Sequence, residues 1–174
     1  MFEYKGIKSD LAFNQITVEH FMKIIDYLLE EYGIDKLEGK ILLSKNDRPS
    51  QLFDIIFLAP TKINLIDHYQ LSFQFSHELS HLIQDHQKRG LPIQIRQLAN
   101  GSFQQVSFPP HSIQETEAVA NSVDVCEKLL NYKNYNVRGR DNPEYYDYDK
   151  AFGLVDSGEL SIFRKSQSKC CKKD

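Results

Sequence analysis

Between positions 17 and 32 the apolar residues Phe21, Ile24, Ile25, Leu28, Leu29 and Tyr32 recur three and four apart. That spacing predicts one buried face of an amphipathic helix. Thr17 is expected to cap its start, and Gly33 to supply the left-handed residue that closes it. Residues 41–43, 52–59 and 62–66 form shorter runs rich in β-branched and aromatic side chains, separated by the polar stretch 46–50 and by Ala59-Pro60. They predict a three-stranded meander, antiparallel because the connections are too short for crossover helices. From Thr61 to Arg89 no glycine or proline interrupts the chain, and Phe73, Phe75, Leu82 and Ile83 predict a second helix embedded in the core. A third is predicted to begin near Ser112. Helix, strands, then helices indicate an α+β fold: a small antiparallel sheet of about three strands packed on helices.

Composition narrows the function classes. At 174 residues the chain fits one domain of roughly 150 residues, expected to span residues 1–163, with the lysine-rich stretch 164–174 as a flexible basic tail. A net charge of −3 removes the basic footprint of a nucleic-acid binder. Glu3, Lys5, Lys8 and Asp10 break up the N-terminal stretch, so no secretory leader is expected. No apolar run approaches the length of a membrane span, so no membrane contact is expected either. The cysteines, Cys126 and the adjacent Cys170 and Cys171, form no disulfide framework, which predicts a reducing, cytoplasmic setting. Cys126 is expected to be core.

Chemistry enters at residues 77–81, His77-Glu78-Leu79-Ser80-His81, an H-E-x-x-H pattern inside the predicted second helix. Residues four apart on a helix lie about 40° apart around its axis, one turn above each other, so both imidazoles can reach one tetrahedral zinc. Glu78 lies about 100° off that line. It is expected to act as the general base, taking the proton of a water that zinc has acidified.

A third ligand is needed. His86 lies about 140° from His81 and is expected at the helix C-terminus instead, where its charge suits the dipole. The segment from Ser112 to Asn121 offers two carboxylates. Ser112 and Glu115 make a capping-box pair, which would occupy Glu115 at the helix start. Glu117 is left to face the metal, with Asn121 one turn further on to hydrogen-bond a ligand histidine or Glu117 itself. The favoured zinc set is therefore His77, His81 and Glu117, with a water as fourth ligand and Glu115 as the alternative carboxylate.

These residues carry a family resemblance. The run from Phe75 through His81 to Ile83, followed by Glu117-Ala118-Val119-Ala120-Asn121, resembles the ImmA/IrrE family of zinc-dependent metallopeptidases, whose members carry H-E-L-G-H and a later E-x-x-A-N. The likeness covers about residues 20–131 and includes the short strands before the motif helix. It implies a zincin-like active-site helix plus a second ligand helix, a zinc cofactor, an intracellular setting and a protein substrate. Characterised members cleave helix-turn-helix transcriptional repressors of phage or mobile elements. Ser80 stands where the family has glycine, and Val123-Asp124 and Leu129-Leu130 depart from the family's continuation.

A donor for the developing oxyanion would assist such a reaction. His111 and the tyrosines around Tyr145 are the candidates. Two functions follow: a zinc endopeptidase acting on a protein, or a zinc-containing protein that regulates a repressor by contact without cutting it. Glu78 favours the enzyme, because a binding module has no use for a non-ligand carboxylate beside an open metal position.

Overall fold

The computed structural model describes residues 1–60, 68–89, 93–107, 112–132 and 148–169. The chain begins with a hairpin, β1 (Phe2–Tyr4) and β2 (Ile7–Ser9), turned by Lys5 and Gly6, both at positive φ. A Cβ at Gly6 would lie 2.5 Å from the Leu37 carbonyl oxygen, so the close return of the chain here requires glycine. Helix α1 (Gln15–Tyr32) follows and leads into β3 (Gly39–Leu43), then β4 (Ser50–Leu52) and β5 (Ile55–Leu58).

These strands form one five-stranded sheet in the order β1-β2-β3-β5-β4. The fold is α+β as expected, but the sheet is mixed and larger than the predicted antiparallel meander. β3 pairs in parallel with both β2 and β5. The β2–β3 pair is connected by α1, the crossover a parallel pair requires. The β3–β5 pair needs no helix, because β4 runs back along the outer edge and a hairpin returns β5 between them. Two reversals restore the original direction. The predicted strand 52–59 is split by the turn at Phe53 (φ 53°), and the predicted strand 62–66 lies outside the described residues.

Helix α1 starts one turn before the predicted cap. Asn14 is the N-cap, its side-chain oxygen accepting from the Thr17 amide at 2.8 Å, while Thr17 itself is buried inside the helix. Replacing Asn14 by Ala is expected to cost about 1 kcal/mol, read as a lower urea midpoint at unchanged m-value. At the other end Gly33 (φ 66°) closes the helix as predicted, its amide bonding back into the last turn.

Helix α2 (His68–His86) carries the H-E-x-x-H motif and is the hub of the fold, lying against α1, β4, β5 and α3 (Ser112–Asp124). Its Leu71, Phe75, Leu79, Leu82 and Ile83 join Phe21, Ile24 and Leu28 of α1 and Ile41 and Ile56 of the sheet in one core. Phe21 and Phe75 stack with ring centroids 4.0 Å apart. A hairpin of β6 (Ile93–Gln97) and β7 (Phe103–Ser107) separates α2 from α3. A π-helical turn, Val125–Leu129, then ends α3. Cys126 is buried there, as expected of a core residue. On the far side of α3, Val119 and Val123 pack against α4 (Tyr148–Asp156) and Leu160 of α5 (Leu160–Lys169).

The boundary expected at residue 164 falls inside α5, which runs through Lys169. Arg164 is no tail residue. It is 1% exposed and gives Nε to Asn121 Oδ1 (2.8 Å), one terminal nitrogen to Glu31 (3.1 Å) and the other to Asp124 (3.0 Å). Composition marked the segment as basic, but one arginine on the buried face of a helix is enough to anchor it. Among the described residues, no helix is long and apolar enough to cross a membrane.

Candidate metal centre

The motif histidines and one carboxylate converge. His77 and His81 lie one turn apart on α2, as their spacing requires, with Nε2 atoms 3.3 Å apart. Glu115, in the first turn of α3, places Oε2 3.2 Å from His77 Nε2 and Oε1 3.3 Å from His81 Nε2. A tetrahedral ion with ligands at 2.0–2.1 Å has edges of about 3.3–3.4 Å. Each of these spacings is close to such an edge, with the two imidazoles meeting different oxygens of Glu115, and one ligand atom from each residue lies within 4.8 Å of the others, so the cluster can hold a metal ion. The His77 and Glu115 side chains are 16% and 18% exposed, so the site is open to solvent on one side.

The carboxylate at the histidines is Glu115, where the sequence favoured Glu117. Two residues apart on a helix means about 200° around the axis, so only one of the pair can face the imidazoles. Glu117 turns the other way and is fully buried. Arg89 holds it with two prongs, at 2.7 and 2.9 Å, Tyr32 donates its hydroxyl at 3.0 Å, and Gln84 donates its amide nitrogen at 2.7 Å. A carboxylate that deep needs its charge matched and its lone pairs filled, and these four bonds do both. Glu115, at the open end of the helix, bonds the imidazoles.

The partner of the second ring nitrogen fixes the aim of His81. His81 Nδ1 lies 2.9 Å from Gln84 Oε1. The Gln84 amide nitrogen faces two acceptors, Glu117 Oε2 and the Gln114 carbonyl (3.0 Å), so its oxygen must face the imidazole. His81 therefore donates from Nδ1, and in its neutral form Nε2 carries a lone pair toward His77 and Glu115. Lone pairs and a carboxylate this close call for a cation among them. Without a metal a proton takes that place: burial opposes charge on His81, but the adjacent Glu115 outweighs it and pushes the pKa up to about 9. For Glu115, burial favours the neutral acid, yet hydrogen bonds from His77 and His81 win and hold its pKa well below the usual carboxylate range.

Glu78 lies beside this cluster without joining it. It is 5% exposed, and among the described residues no side chain hydrogen-bonds its carboxylate. Burial raises its pKa against the opposing pull of His77 and His81. A buried, non-ligand carboxylate with raised basicity has the character of a general base.

The remaining predicted residues divide. Asn121 is buried but bonds neither a ligand histidine nor Glu117 directly. Its amide donates to the Tyr32 hydroxyl (2.9 Å) and to Ser80 Oγ (3.0 Å). It thus supports Glu117 one step removed, and it gives Ser80 a role in the position where the resembled family has glycine. His86 is exposed in the last turn of α2 and outside the cluster, as expected. His111 and Tyr145 lie outside the described residues. Gln84, Arg89 and Tyr32 escaped the sequence reading. Each is an ordinary residue in its local pattern, and only folding brings it to Glu117. Comparison of the chain with protein-family models, with curated proteins and with solved structures finds no match.

Proposed function

We propose that the protein is a zinc-dependent endopeptidase acting in the cytoplasm on a protein substrate, a helix-turn-helix transcriptional repressor being the class that its resemblance to the ImmA/IrrE family suggests. The observation that carries this reading is the buried carboxylate of Glu78 beside three converging metal donors. Two neutral imidazoles and a carboxylate with an open side suit zinc in hydrolytic chemistry. A zinc ion held by His77, His81 and Glu115 would polarise a water and the scissile carbonyl.

The chain's own residues supply the proton transfers. Glu78 takes the proton of the attacking water and returns it to the departing amine nitrogen. Gln84 holds His81 in the tautomer that binds through Nε2. The exposed sides of His77 and Glu115 leave room for a polypeptide to approach.

The test begins with the purified protein. One equivalent of zinc is expected to bind and to raise the melting temperature in a concentration-dependent way. Incubation with a host protein extract should then create new N-termini, detectable by mass spectrometry. A chelator should abolish them and added zinc restore them. A protein that binds zinc yet generates no new N-termini with any repressor co-expressed beside it would instead be a regulator acting by contact.

A further inference from the structure

We propose that Gln84 is the positioning residue of this metal centre, selecting the metal-binding tautomer of His81, and that Glu117 and the Gln114 carbonyl set the orientation in which Gln84 does so. The inference rests on the metal-centre reading above and gives a purpose to the buried acid that the centre does not use as a ligand.

The two ends of a glutamine amide are nearly equal in shape, so shape alone would let Gln84 sit either way round. The chemistry of the two orientations is opposite. With Oε1 toward His81, the imidazole must carry its proton on Nδ1, leaving Nε2 bare toward His77 and Glu115. With the amide nitrogen there, Nδ1 would have to accept, and Nε2 would carry its proton into the space a metal needs. Gln84 is 1% exposed, so water cannot satisfy the losing arrangement.

The choice is made on the other side. Glu117 Oε2 at 2.7 Å and the Gln114 carbonyl oxygen at 3.0 Å are both acceptors, and together they claim both amide hydrogens. Glu117 cannot turn away, because Arg89 grips both its oxygens and Tyr32 bonds one of them. The buried ion pair thus acts as a fixed reference: its oxygens face Gln84, the amide follows, and the imidazole follows the amide.

The variant Gln84→Met keeps the length and volume of the side chain and removes the acceptor. In competition against a chromophoric chelator it is expected to bind zinc about 10–100-fold more weakly than the wild type. A structural role alone could weaken binding, so the tautomer is read as well. In the metal-free wild type, at a pH above the His81 titration, the nitrogen shifts of His81 should report the Nδ1–H form, and in Gln84→Met they should move toward Nε2–H. His77 is expected to keep its tautomer in both. Equal zinc affinity in the variant, or an Nε2–H tautomer in the wild type, would overturn the proposal. Should Gln84→Met fail to fold, the wild-type tautomer decides alone. A wild type that binds no zinc but shows the Nδ1–H form refutes the metal reading and leaves the tautomer selection standing.

Discussion

Replacing Glu78 by Gln is expected to leave zinc binding within a few-fold of the wild type while lowering the rate of substrate cleavage by about 10²–10⁴. The amide is almost the same size as the carboxylate, and the site keeps His77, His81 and Glu115 untouched. What it loses is the only buried carboxylate beside the cluster among the described residues that is neither a donor to it nor tied into an ion pair. His81→Ala is the complementary variant: zinc binding and cleavage should fall together. The measurement is a pair of numbers for each variant, zinc affinity by competition and cleavage rate by N-terminal labelling. Cleavage by Glu78→Gln at the wild-type rate would refute Glu78 as the base.

Replacing Arg164 by Met is expected to destabilise the fold by about 3–5 kcal/mol, a fall in melting temperature of about 10 °C for a chain of this size. The guanidinium fills the polar interior between α1, α3 and α5, pairing Asp124 and Glu31 while bonding Asn121, with the rings of Tyr27 and Tyr32 5.6 and 5.9 Å away. Methionine matches much of its volume and none of its charge. Asp124, 2% exposed, would keep the Tyr27 hydroxyl and a 3.5 Å contact to the half-exposed Lys128 but lose its buried cation. Tyr27 reports the change independently. Burial and the neighbouring Asp124 carboxylate push its hydroxyl up to about 12 while Arg164 pulls it down, so ultraviolet titration of the variant should find it shifted further up. Arg164→Lys should recover only part of the loss, since one ammonium cannot reach three acceptors held in the fixed geometry of a fork. A midpoint unchanged from the wild type would refute the anchoring of α5 through this residue.

One hydrogen-bonded chain joins Arg164 to the motif histidines. Arg164 bonds Asn121, Asn121 bonds Tyr32, Tyr32 bonds Glu117, Glu117 bonds Gln84, and Gln84 bonds His81. The links cross sequence separations of 43, 89, 85, 33 and 3 residues. Asp124, one of the departures from the resembled family, is where Arg164 finds its partner. Such a chain explains why an acidic helix position that looks like a ligand is a support, and why a lysine-rich C-terminal segment contains a core residue.

Much was legible where structure is local. The amphipathic spacing of α1, its glycine stop and the uninterrupted helix around the motif follow from backbone geometry and side-chain period alone. The two motif histidines share that immunity to context, because residues four apart on any α-helix stand one turn above each other. The sheet was harder to read. Residues 2–4 and 7–9 are too short to announce themselves as strands, and without them α1 has no partner strand that would reveal it as a crossover. The turn at Phe53 was hidden too, since an exposed phenylalanine at positive φ resembles another strand residue in the sequence.

The sequence by itself determined the motif helix, the pairing of His77 with His81 and the separate standing of Glu78, because each depends only on helical repeat. The third donor was a tertiary decision. Glu115 and Glu117 both belong to α3, and nothing local chooses between two carboxylates on opposite sides of one helix. The choice falls to the partners each side meets. Arg89, Tyr32 and Gln84 close around Glu117 from α1 and from the end of α2, and a charge buried that deeply goes where its counter-charge is. Glu115 is left at the open edge, against the two imidazoles.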